Sequence, residues 1–69
     1  MKRVLRVSET GFYIRADGSQ TRDFDEALNL PDVTAAMEMC RKYRLEDVEL
    51  VLRVGRPEYD VVTPLRPPA

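Results

Sequence analysis

Histidine and tryptophan are absent from this 69-residue sequence, and cysteine occurs once, at Cys40. Without histidine, the chain cannot use histidine-based acid–base catalysis or form a Ser-His-Asp or Cys-His triad. A single cysteine cannot form an internal disulfide, and a structural zinc site is not expected. We expect Cys40 to be a buried, unreactive thiol, because it lies far from the helix N-terminus that would lower its pKa. The sequence therefore predicts no catalytic residue, no metal site and no cofactor.

A long apolar run is also missing. Arg6 interrupts the first apolar residues, and no stretch approaches the roughly 20 apolar residues of a membrane span. We expect no membrane segment, and the unpaired Cys40 favours a reducing compartment, so the predicted location is cytoplasmic. The 11 basic and 12 acidic side chains give a net charge of −1, which argues against a general affinity for polyanions.

The length of the chain predicts one domain with a small core. A chain of this size buries only about 60% of the surface that its unfolded form exposes. Small proteins commonly gain stability from disulfides, a metal ion or association with another chain. Because the first two are not expected here, a homodimer is a reasonable hypothesis.

One amphipathic helix is predicted just after Pro31, because proline disfavours a helical conformation of the residue before it. Asp32 is the expected N-cap, since its carboxylate can accept a hydrogen bond from an unpaired backbone N–H group. The helix should end near Leu45, with basic residues in its last turn. The arc expected to face the core consists of Val33, Ala36, Met37, Cys40 and Arg44.

Strands are predicted on both sides of this helix. Residues 2–7 and 12–15 should form a hairpin, in which Gly11 is free to adopt the positive φ of a tight turn. The residue pattern of 48–54 alternates as in a strand with one buried face, and the pattern of residues 59–63 predicts a last strand.

Two segments are harder to assign from the sequence. The sequence does not decide whether residues 19–23 form a further short strand. Residues 24–30 are apolar enough to be pinned across the helix or the sheet edge. Pro64 cannot donate a ladder hydrogen bond and should end the pairing. We therefore predict a domain of residues 1–64 and a disordered, proline-rich tail of residues 65–69.

The β-β-α-β-β order predicts an α+β fold, in which one helix packs on one face of a single-layer, mostly antiparallel sheet. The first hairpin, the Asp25-Glu26-Ala27 segment, the capped helix and the Val-Glu-Leu-Val strand resemble many small uncharacterised bacterial and phage proteins of ββαββ order. The resemblance covers most of the chain. It implies no particular activity, so it assigns no functional residue.

The sheet face turned away from the helix is the predicted interaction surface. A single-layer antiparallel sheet can leave one face in water, and tyrosine and arginine are enriched at protein interfaces. The side chains expected on this open face are Val4, Arg6, Tyr13, Arg15, Val51 and Arg53.

Two functions are compatible with such a face. The first is a non-enzymatic protein-interaction module, which binds itself or an unidentified protein through the open face or an edge strand. The alternative is a weak nucleic-acid binder, in which Tyr13 stacks on bases and arginines contact phosphates. The net charge and Glu49, which lies on or near the same face, argue against the alternative.

Overall fold

The computed structural model describes residues 1–65, and within them five strands form one antiparallel sheet in the order β3-β2-β1-β4-β5. In chain order the elements are β1 (Lys2–Val7), β2 (Tyr13–Ile14), β3 (Gln20–Thr21), a 3-10 helix (Phe24–Glu26), α1 (Val33–Lys42), β4 (Val48–Arg53), a second 3-10 helix (Pro57–Tyr59) and β5 (Val61–Leu65). The predicted α+β class with a helix on an antiparallel sheet is confirmed. The segment left open at residues 19–23 supplies the short strand β3.

The central strands β1 and β4 pair along their whole length, from Lys2 opposite Arg53 to Val7 opposite Val48. Side chains of successive residues alternate between the two faces of a strand. One face carries the core under α1, which consists of Leu5, Ile14, Leu30, Ala36, Met39, Cys40, Val48 and Leu50. The helix therefore covers the middle of the sheet, as the sequence predicts.

The N-terminus of α1 follows the prediction, but the buried arc is rotated. The side chain of Asp32 accepts a 2.8 Å hydrogen bond from the Ala35 N–H group, which is the expected N-cap. Val33 is 51% exposed, whereas Met39 is buried. Apolar residues surround much of this helix, so their spacing alone does not fix which arc meets the sheet.

Arg44 lies beyond the end of α1 and not on its buried arc. Its φ of 52° is left-handed, and the Leu45 N–H group donates to the Cys40 carbonyl at 2.9 Å. This bond is the 6→1 contact of a Schellman helix end, in which glycine is the usual left-handed residue. The chain thus turns sharply at Arg44, and Leu45 returns to pack against the core.

Tyr43 connects this end of α1 to the turn between β2 and β3. Its hydroxyl donates to the Ala16 carbonyl at 3.1 Å, and its ring lies directly over Gly18. Gly18 has a φ of 86°, and a Cβ atom there would lie 2.5 Å from Tyr43 Cδ1. Both the conformation and the contact therefore require glycine.

Strand β5 begins and ends later than the sequence predicts. Pro57 opens a 3-10 helix that includes Tyr59, so the strand starts at Val61. Pro64 does not end the pairing: it lies opposite Glu49, and Leu65 pairs with Val48 and packs against the core. The strand thus runs one residue past the predicted domain boundary, and the other residues of the predicted tail, 66–69, lie outside the described part of the chain.

Candidate interaction surface

The face opposite α1 is closed at its centre, and not open as the sequence predicts. Strand register places Val4, Arg6, Tyr13, Val51 and Arg53 on this face. However, Val4 and Val51 lie opposite each other and are both 0% exposed. These two valines are therefore unavailable for contact with another molecule.

A segment of the chain itself covers the two valines. Phe24 and Ala27 pack against them, and Tyr13 joins the same cluster. The Tyr13 and Phe24 rings meet edge to face, with their centroids 5.3 Å apart, a favoured arrangement of aromatic pairs. We call residues 22–27 the cover segment. The sheet therefore carries a second, smaller core on the side away from α1.

Basic side chains hold the cover segment in place. Lys2 Nζ donates to the Phe24 carbonyl at 2.8 Å and to the Asp25 carbonyl at 3.2 Å. The Arg53 guanidinium carbon lies 3.8 Å from the centroid of the Phe24 ring. A cation over an aromatic face contributes about 0.5–2 kcal/mol, depending on its exposure. The Phe24 ring thus lies among Tyr13, Lys2 and Arg53.

The three predicted surface arginines are each paired with a carboxylate. Arg6 forms a salt bridge with Glu49, and Arg53 donates to both carboxylate oxygens of Asp60, at 2.8–3.2 Å. Arg15 lies 3.1 Å from Glu26, which also accepts a 2.7 Å hydrogen bond from Thr21. These pairs and the packing of Tyr13 against Phe24 engage within the chain the three arginines and the aromatic ring of this face on which the nucleic-acid alternative depends.

These contacts shift the pKa values of the paired groups. Hydrogen bonding from Arg53 lowers the pKa of the Asp60 carboxyl below its ordinary 3.8, and the same bond raises the pKa of Arg53. Burial acts to lower the pKa of Arg6, but the hydrogen bond and charge of Glu49 outweigh it, so the pKa is raised. Arg6, Arg53 and Asp60 are therefore all charged at neutral pH.

The chain passes from this face to the helix side around an edge of β1. Strand β2 pairs with β1 only where Tyr13 meets Arg6, which leaves the edge near Arg3 uncovered. The Arg3 carbonyl accepts a 2.7 Å hydrogen bond from the Leu30 N–H group, and the Arg3 N–H group donates to Asn29 Oδ1 at 3.1 Å. Residues 29–30 thus take the place of a longer β2, and they carry the chain from the cover segment to α1.

Apolar side chains remain exposed elsewhere, at the end of the molecule where β4 turns into β5. Val61 and Val62 are 56% and 42% exposed and lie opposite Leu52 and Val51. Arg3, which lies in register with Leu52, donates a 2.6 Å hydrogen bond to the Pro31 carbonyl, two residues before α1 begins at Val33. We call the following residues the hairpin-end surface: Met1, Val33, Val54, Tyr59, Val61 and Val62, which are the exposed large apolar side chains of residues 1–65.

Hydrogen bonds also reveal the direction in which the backbone groups of the central strands point. The Ser8 N–H group donates to the Asp47 carbonyl at 2.8 Å, whereas the Arg3 carbonyl faces Leu30 on the other side of β1. Backbone groups of successive residues in an antiparallel strand point alternately to its two neighbours. The backbone N–H and C=O groups of even-numbered residues in β1 therefore point to β4, and those of odd-numbered residues in β4 point to β1.

The even-numbered residues of β4 consequently face β5, where they meet Val61, Thr63 and Leu65. The backbone groups of Val62 and Pro64 must then point away from the sheet. Proline has no N–H group, and this outward position is where an edge strand tolerates it. Within β5, Val62 is thus the one residue with both an N–H and a C=O group directed outward.

Cys40 is buried, as predicted, and burial raises the pKa of its thiol. Among residues 1–65, no three His, Cys, Asp or Glu side chains are grouped so that they could hold a metal ion. In the same part of the chain, no helix has the length and apolar character needed to cross a membrane.

Comparison of the chain with protein-family models, with curated proteins and with solved structures gave no match. The resemblance to small ββαββ proteins therefore stays a prediction.

Proposed function

We propose that this protein is a non-enzymatic, cytoplasmic protein-interaction module whose binding surface is strand β5 and the hairpin-end surface around it. The observation that carries the proposal is the contrast in exposure between paired residues. Val51 is 0% exposed and Val62, directly opposite on the same face, is 42% exposed. Apolar side chains at the centre of the sheet are covered by the chain itself, while those at the β5 edge are left to another molecule.

The chemistry of the remaining side chains supports a binding role over a catalytic one. The sequence has no histidine, and the one cysteine is buried with a raised pKa, which disfavours the nucleophilic thiolate. An unpaired, buried thiol also suits the reducing cytoplasm. The three arginines predicted to bind a partner are instead paired within the chain.

Heteronuclear NMR spectra of the protein, recorded from tens of micromolar to millimolar concentration, test the proposed surface with the protein as its own probe. We expect concentration-dependent shifts at Val54, Tyr59, Val61 and Val62, and constant shifts at Val4. Shifts centred on Val4 and Tyr13 would overturn the proposal, and so would constant spectra whose relaxation is that of an 8.0 kDa monomer.

A further inference from the structure

Strand β5 has an unusual edge, because it offers a single complete hydrogen-bonding position. Val62 directs its N–H and C=O groups outward, whereas Pro64 directs only a C=O group outward. On the other side of Val62, the Asp60 N–H group is already bonded to the Pro57 carbonyl at 3.1 Å. A long added strand needs donors at alternate residues along the edge, and β5 does not supply them.

Pairing across a two-fold axis requires only one complete position on each copy. When an antiparallel strand pairs with an identical copy, the residue on the axis lies opposite itself. If that residue is Val62, its N–H group donates to the Val62 carbonyl of the second copy, and the reverse bond forms equally. The one complete position then supplies a full hydrogen-bonded pair, and Pro64 falls at the flank, where the strands can diverge.

The side chains of β5 permit the same pairing. Its sequence, Val-Val-Thr-Pro-Leu, has no charged residue, so two copies meet without like-charge repulsion. Edge strands that avoid association commonly carry lysine or other charges, which are missing here. Asp60, which precedes the strand, is held by Arg53 on the same chain, and Glu49, which lies opposite Pro64, is paired with Arg6. Pairing would also cover part of Val61 and Val62, which are 56% and 42% exposed in the single chain.

We propose that the occupant of the β5 edge is a second copy of this chain, joined antiparallel with Val62 on the two-fold axis. This inference rests on the proposed function, which requires only that the β5 end of the molecule binds protein. The pairing extends the five-stranded sheet into a continuous ten-stranded sheet across the two copies. The contact closes at two chains because both copies use the same edge, and it is limited to two central hydrogen bonds because each flank of Val62 lacks a donor.

Proline at position 62 tests the backbone bonds, because the Val62 N–H group points away from β4. Val62→Pro removes the donor of the proposed pair and no ladder bond within the chain. Val62→Ala is the matched control, since it trims the side chain and keeps the N–H group. By light scattering, we expect Val62→Pro to raise the dissociation constant at least about tenfold over Val62→Ala. Equal dissociation constants for the two variants would overturn the inference.

Disulfide trapping tests the axis even if Val62→Pro fails to fold. Residues facing each other in a hydrogen-bonded pair have Cα atoms about 5.5 Å apart, within the reach of a disulfide. Val62→Cys should therefore form an intermolecular disulfide rapidly on mild oxidation. Thr63→Cys is the control, because in this register its counterpart lies diagonally, at about 7–8 Å.

A disulfide at position 63 instead of position 62 would overturn the assignment of the axis. Concentration-dependent NMR shifts at the hairpin-end surface, with no disulfide at either position, would overturn the two-fold pairing and leave the proposed function standing. Constant NMR spectra with the relaxation of an 8.0 kDa monomer, together with no disulfide, would overturn both.

Discussion

On the helix side of the sheet the core is aliphatic and sulfur-containing, whereas on the opposite side three buried residues are surrounded by aromatic rings and ion pairs. The first core is formed by a regular helix with a capped N-terminus. The second is formed by a 3-10 helix of three residues, held by side chains of the sheet. A surface that looks suitable for a partner can therefore be occupied by a short irregular segment of the same chain.

The largest expected difference is between a charge placed at a covered position of this face and a charge placed at the exposed position paired with it. Val51→Glu should destabilise the fold by about 4 kcal/mol or more, because the carboxylate would be buried without a partner. Val62 lies opposite on the same face but is exposed in the single chain, so at a protein concentration too low for association we expect Val62→Glu to change the free energy of unfolding by about 0.5 kcal/mol or less. Urea unfolding of both variants measures the difference. Similar unfolding midpoints would mean that the face is open.

Truncation of two neighbouring residues compares the faces directly. Leu5 and Val4 are 1% and 0% exposed and point to opposite sides of β1. We expect Leu5→Ala to lower the free energy of unfolding by about 3 kcal/mol and Val4→Ala by about 2 kcal/mol, because each loses apolar contacts and leaves a cavity. The midpoints and slopes of denaturant unfolding curves at a low temperature give both free energies. If Val4→Ala costs less than about 0.5 kcal/mol, the cover segment does not bury Val4.

Protonation of Asp60 in acid should weaken the second core. The pKa of Asp60 is lowered in the folded protein, so its stabilising effect is complete above its ordinary 3.8 and is lost as the pH falls through the folded value. With no histidine, we expect nearly constant stability between about pH 5 and 8. Asp60→Asn should lower the free energy of unfolding by about 1 kcal/mol at pH 7 and make its decrease in acid smaller. A variant whose stability below about pH 4 falls as steeply as that of the original protein would contradict this role of Asp60.

Much of the fold follows from local sequence. Asp32 after Pro31 marks the helix start, and Gly11 adopts the left-handed conformation that closes the first hairpin, with a φ of 79°. The alternation of residues 48–54 places Leu50 toward the helix and Val51 away from it. These features depend on contacts among residues near each other in the chain, which is why pattern alone finds them.

The cover segment could not be placed in the same way. Phe24 meets Lys2 and Arg53, contacts that span 22 and 29 positions of the sequence and depend on the chain passing the β1 edge near Arg3. A signal was nevertheless present: Val4 lies between Lys2 and Arg6, and Val51 between Glu49 and Arg53, so each charged row has an apolar centre. Strands covered on both faces have continuous apolar runs, as at Val4-Leu5 and Leu50-Val51-Leu52.

Thiol accessibility tests most directly whether this face is closed. The measurement compares reaction of a thiol reagent with Val51→Cys and with Val54→Cys, using peptide mass spectrometry to separate each site from Cys40. We predict that Val54→Cys reacts rapidly in native buffer, because Val54 is 63% exposed, and that positions 51 and 40 react only on unfolding. Rapid native labelling at position 51 would contradict the account, because it would show that the cover segment leaves the centre of the sheet open.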